Sequence, residues 1–126
     1  MACGRGLSGV ERVRTGFAAV TGAALLVWWA ADAAGLLGAE FASPYRTGTH
    51  ALAEVLVGIT LLLGAWLYHA GKRSGYVMLA GGFGALAYTA INAIGGYPTM
   101  SAMWGVLLVV FALSVLALLT MLTQAP

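Results

Sequence analysis

Charge is what this chain has least of. Lys and Arg together number 6 and Asp and Glu 4 in 126 residues. That 8% compares with roughly 25% in soluble domains, so the chain cannot cover a water-facing surface. With 61% hydrophobic residues and a mean hydropathy of +0.92, its side chains suit lipid instead. Cysteine is almost missing. Cys3 stands alone, which excludes an internal disulfide and any CxxC redox or zinc motif. No basic cluster exceeds two residues, so the net charge of +2 is not a nucleic-acid footprint. GxSxG, HExxH, P-loop and dinucleotide fingerprints are all missing, and Gly81-Gly82-Phe83-Gly84 falls inside an apolar run rather than after a strand. With no recognisable nucleophile or metal set, independent catalytic activity is not expected.

What the chain does have is four apolar segments, approximately 15–37, 50–70, 75–95 and 100–122. Each is long enough to cross a ~30 Å hydrocarbon layer as a helix. A barrel would need alternating patterns of about ten residues, which do not occur. The expected fold is therefore a single all-α domain, a four-helix transmembrane bundle running up-down-up-down. The first segment is too long for a signal-peptide core of about 7–15 residues and reads as a retained anchor. Gly38–Thr49 reads as the longest loop, while Gly71–Gly75 and Gly95–Thr99 read as tight hairpins.

The few charges are sorted. Arg5, Arg12, Arg14, Lys72 and Arg73 fall on one side of the segments and Arg46 on the other. By the positive-inside rule both termini are expected in the cytoplasm, in an inner (plasma) membrane. Tyr45, Tyr97 and Trp104 then belong to the outer interface, and Phe17, Trp66, Tyr68 and Tyr76 to the inner one. Close helix approach is expected along Gly81, Ala85, Thr89 and Ala93, and at Gly58, Gly64 and Gly105, because small residues let backbones meet.

Asp32 and Glu54 lie within apolar segments, where a charge costs about 2.5–3.5 kcal/mol at helix-centre depth. Antiparallel helices bring them to a similar depth, and His50 lies one turn from Glu54 on the same face. Tyr88 and Asn92 on the third segment, with Trp28 and Trp104, complete a set of polar and aromatic residues in the outer half. Three roles remain open for this set. The polar groups could pin the helix ends together, form a pocket for a small ligand such as a quinone headgroup, or belong to a proton or ion path. His50, Glu54 and Asp32 are only a partial metal set, and no metal is expected.

The stretch from Glu54 through Gly58 to Gly64 resembles the second helix of DoxX-like membrane proteins. There a glutamate is followed by a glycine one turn on and a leucine run ending in glycine. A short basic turn at Lys72 and Arg73 and an Ala/Gly-rich third helix extend the resemblance over about residues 50–94. It implies a small four-helix membrane protein acting as an accessory subunit of a redox-associated or other membrane complex. Apart from the resemblance, a larger membrane complex or a homo-oligomer is the expected assembly. The family's lysine near the outer end of helix one is replaced here by a region carrying Asp32. Only Glu54 is carried over as a family polar position. The alternative is a small transporter or ligand-binding protein using an outward-facing Asp/Glu/His pocket.

Overall fold

The computed structural model describes residues 6–36, 48–97 and 99–124. These form four helices, α1 (Gly9–Ala33), α2 (Gly48–His69), α3 (Arg73–Ile94) and α4 (Ala102–Thr123). All four are long and apolar enough to cross a membrane.

The helix ends differ from the edges of the apolar runs, because serine caps set the starts of α1 and α4 and glycine turns close α1 and α2. α1 begins at Gly9 rather than Thr15. Ser8 and Glu11 form a capping box, in which the Glu11 N–H donates to Ser8 Oγ (3.3 Å) and the Ser8 N–H donates to Glu11 Oε2 (2.7 Å). Arg12 and Arg14 are consequently helical residues. α1 stops at Ala33, where Gly35 takes φ +71° and the Leu36 N–H reaches back to the Ala31 carbonyl. α2 stops in the same way, with Gly71 at φ +75° and the Lys72 N–H donating to the Leu67 carbonyl. α3 starts at Arg73, so this hairpin is shorter than the 71–75 expected. Ser101 caps α4 by accepting from the Trp104 N–H at 3.2 Å. Apart from Gly48 and Thr49, which open α2, the expected 38–49 loop lies outside the described residues, as do Arg5, Tyr45, Arg46 and Pro98.

Cross-helix neighbours show that sequential helices are antiparallel. A Cβ on Gly22 would meet the Gly58 carbonyl oxygen at 2.8 Å, and one on Gly58 would meet that of Gly22 at 3.0 Å, so α1 and α2 touch backbone to backbone. Gly64 faces Leu79, and Gly82 faces Leu61, across the α2–α3 contact. The Tyr76 hydroxyl donates to the Met121 carbonyl (2.8 Å), linking the start of α3 to the end of α4. α1 packs on α2, α2 on α3 and α3 on α4, whereas α1 and α4 face each other across a loosely packed seam. The core holds Ala18, Leu61, Leu79, Phe83, Leu86 and Met121, with Phe17 stacked on Phe83 at 5.8 Å between ring centroids.

Close approach at Gly58 and Gly64 is as expected. At Gly81 and Gly105 it is not, because a Cβ at either would meet nothing within 4 Å. On α3 the inward register runs through Leu79, Gly82, Phe83 and Leu86, and Gly81 is exposed. Thr89 and Ala93 are buried as that stripe requires.

Candidate functional site

Glu54 sits nearly two turns into α2 and is only 9% exposed. A carboxylate so placed needs partners, because each of its oxygens has lost water. It has two. The Trp29 indole Nε1–H donates to Glu54 Oε2 at 2.8 Å, and His50 Nε2 lies 3.2 Å from Oε1. The antiparallel crossing at Gly22 and Gly58 brings Trp29 opposite Glu54, and the i,i+4 spacing brings His50 onto it. The Trp29 and His50 rings also meet edge-on, with centroids 6.2 Å apart. Glu54 is thus held by one group from α1 and one from its own helix.

His50 and Glu54 edge a cavity of about 180 Å³ between all four helices. That is far more room than the ~10–15 Å³ a single buried water requires. His50, Glu54 and Thr89 supply polar groups, Trp28 and Tyr97 supply aromatic surface, and Leu25, Leu107 and Val110 belong to the apolar wall. A mostly apolar hollow with a few convergent polar groups at one end has the composition of a small-molecule site.

Of the residues singled out in the sequence, His50, Glu54 and Trp28 line this cavity. Asp32 is half-buried near the end of α1, makes polar contacts of its own, and is not part of the cavity wall. Tyr88 (68% exposed) and Asn92 lie on the outer face of α3, turned from the cavity by the same one-position register difference that exposes Gly81. Trp104 is half-buried and does not line it. Trp29 was not among the candidates, yet it makes the direct hydrogen bond to Glu54. Its sequence signal was weak, since adjacent tryptophans on one helix point in directions about 100° apart. Among the described residues no group of three or more His, Cys, Asp or Glu side chains could hold a metal ion.

A second polar cluster lies at the opposite end of the bundle, where none is expected from the apolar runs. Arg14 is 5% exposed. Its Nη1 donates to Gln124 Oε1 (3.1 Å) and Thr120 Oγ1 (3.4 Å) on the α4 side, and its Nη2 donates to the Tyr68 hydroxyl (3.2 Å) on α2. Tyr68 in turn donates to Glu11 Oε1 at 2.7 Å. The guanidinium carbon lies 5.9 Å from the Tyr68 ring centroid. This fork joins α1, α2 and the end of α4, while Arg14 Nε is buried with no hydrogen-bond partner among the described residues. The Ser8–Glu11 box was the legible clue, because extending α1 back to Gly9 carries Arg14 into the bundle.

No curated protein and no solved structure matches this chain. A family model, described as a domain of unknown function (DUF8058), matches residues 9–126. The match runs from the first residue of α1 through all four helices, and the chain belongs to the DUF8058 family.

Proposed function

We propose that this chain is a multi-pass membrane protein that binds a small, neutral, hydrogen-bonding headgroup, such as a quinone ring, in the Trp28/His50/Glu54 cavity. The observation that carries this reading is the buried Glu54, fixed by Trp29 and His50 at the edge of a mostly apolar hollow. The polar edge is set in a mostly apolar wall, where an unmatched charge is costly, so a neutral ring with donors and acceptors suits it better than a charged headgroup. Arg12, Arg14, Lys72 and Arg73 all belong to one end of the bundle, which supports cytoplasmic termini in an inner membrane and an outward-facing cavity.

Titrating the purified protein with a short-chain benzoquinone should quench tryptophan fluorescence saturably. Glu54→Gln should weaken binding about tenfold, equivalent to ~1.4 kcal/mol, through loss of one charge-assisted hydrogen bond. Trp29→Phe should weaken it less, because it frees Glu54 without removing it. Unsaturable quenching that is identical in Glu54→Gln would end this reading.

The second reading, an accessory subunit of a redox-associated complex, rests on the DoxX-like stretch from Glu54 to Gly64. Its support in the fold is the loosely packed α1–α4 seam, a face on which a larger partner could close. Mild-detergent purification from native membranes should then recover larger chains in fixed ratio. Recovery solely as a monomer or homo-oligomer would contradict it.

A further inference from the structure

A second, apolar hollow lies one helical turn beyond the headgroup cavity. A groove of about 590 Å³ runs between α1 and α4 at the Arg14 end, walled by Val10, Val13, Phe17, Leu113 and Leu116. Val110 borders the headgroup cavity and Leu113 the groove; Thr21 borders the first and Phe17 the second. Each pair is about one helical turn apart, so the two hollows lie end to end along the one seam where neighbouring helices do not pack closely. From Met103 to Thr120 along α4 the combined path is roughly 26 Å long. Its ionisable groups lie at the two ends, His50 and Glu54 at one and Arg14 at the other, with the Thr21 and Thr89 hydroxyls on the cavity wall between them. Between the two ends the stacked pair Phe17 and Phe83 adjoins the path, and the buried Ser114 hydroxyl is turned onto its own helix, donating to the Val110 carbonyl.

We propose that the ligand is a single-chain amphiphile, a neutral ring headgroup at His50–Glu54 carrying one long apolar chain that lies in the α1–α4 seam. This rests on the headgroup reading above and extends it from a ring to a lipid-borne molecule. The seam is the wall where the bundle is open to hydrocarbon, so such a ligand enters sideways without its chain crossing water. Lipid tails are as apolar as the groove walls, so the chain gains little by leaving lipid. Its part is positional, holding the ring at the depth of Glu54. A phospholipid fits less well, because it brings two chains and a bulky charged head to a small, mostly apolar cavity.

A benzoquinone bearing a long chain with a photoreactive group at its end tests this on the intact protein in nanodiscs. Saturable tryptophan quenching reports the head, and mass spectrometry of crosslinked peptides locates the chain. The expected crosslinks fall on 10–17 of α1 and 113–120 of α4. Val13 and Leu116 are 73% and 58% exposed, so enlarging them does not strain the core. The double variant Val13→Phe/Leu116→Phe, which adds bulk without a new tryptophan, should lose these crosslinks while the short-chain quinone still quenches. Normal head binding with crosslinks on the outer faces of α2 or α3, or crosslinks undiminished in the double variant, overturns the chain placement alone. Absence of saturable quenching in the parent overturns the headgroup reading and the extension with it. A dimer in native mass spectrometry of the parent that the double variant abolishes would identify the seam as a dimer contact and also overturn the placement.

Discussion

Gly75→Ala should lower the stability of the detergent-solubilised bundle by about 3 kcal/mol, at the upper end of overpacking costs. Gly75 lies in the first turn of α3 and faces the last turn of α2. A Cβ there would sit 2.6 Å from the Leu67 carbonyl carbon and 2.6 Å from Tyr68 Cα. Both are backbone atoms, and no rotamer change can move them aside. The hairpin offers little slack, because Gly71 is committed to a left-handed turn and the Lys72 N–H is tied to the Leu67 carbonyl. Relief requires α2 and α3 to part at this end, which carries the Tyr68 hydroxyl away from Arg14 and Glu11. Gly81→Ala is the matched control, since its added methyl meets nothing within 4 Å and it removes a glycine from a helix interior. It should be neutral or stabilising by roughly 0.5–1 kcal/mol. Thermal melts of the two variants side by side decide the matter, and equal melting temperatures would refute the close-approach account.

Arg14→Ala is expected to cost about 3 kcal/mol and to loosen the end of α4. Hydrogen bonds from a charged donor contribute about 1.5–3 kcal/mol each. Three such bonds are lost, but they are not additive, and removing a buried charge returns part of the sum. Arg14→Met separates these terms by filling the stem volume without charge or donors. If the bonds dominate, Met should recover only part of the loss. If desolvation of the guanidinium dominates, Met should equal or exceed the parent in stability. The first outcome is expected, because one planar fork serves acceptors on both the α2 and α4 sides where the helices themselves leave a seam. Arg14→Lys should also fail to restore stability, since an ammonium cannot present the same fork. Equilibrium unfolding in mixed micelles, together with proteolytic release of the C-terminal residues of α4, measures both effects. Variants within about 0.5 kcal/mol of the parent, the usual range for surface changes, would show that Arg14 is not a latch.

Much of this fold was legible from composition and run length. Four runs of about 20 apolar residues, broken by short polar turns, leave an antiparallel helical bundle as the reasonable expectation. Glu54 and His50 were legible for a related reason, since a charge inside an apolar run demands a partner and a spacing of four supplies one. The helix starts were written in a different code. Ser8 and Glu11 cap α1 by local hydrogen bonding that hydropathy does not register, and the missed capping box hid Arg14 inside the bundle.

The tertiary structure decided facing. In an apolar helix nearly every position can face lipid or protein, so periodicity is weak and the inward stripe depends on where backbones come closest. On α1 and α2 that point is Gly22 against Gly58, and it selects Trp29 rather than Asp32 as the hydrogen-bonding partner of Glu54. On α3 the stripe through Gly82 rather than Gly81 turns Tyr88 and Asn92 outward. Residue order alone was enough for four helices long and apolar enough to cross a membrane, with a costly acid in the second, because burial cost and helix length are properties of residues in order. Which side chains surround that acid, and the seam that opens beside it, follow from packing between helices, which no single segment contains.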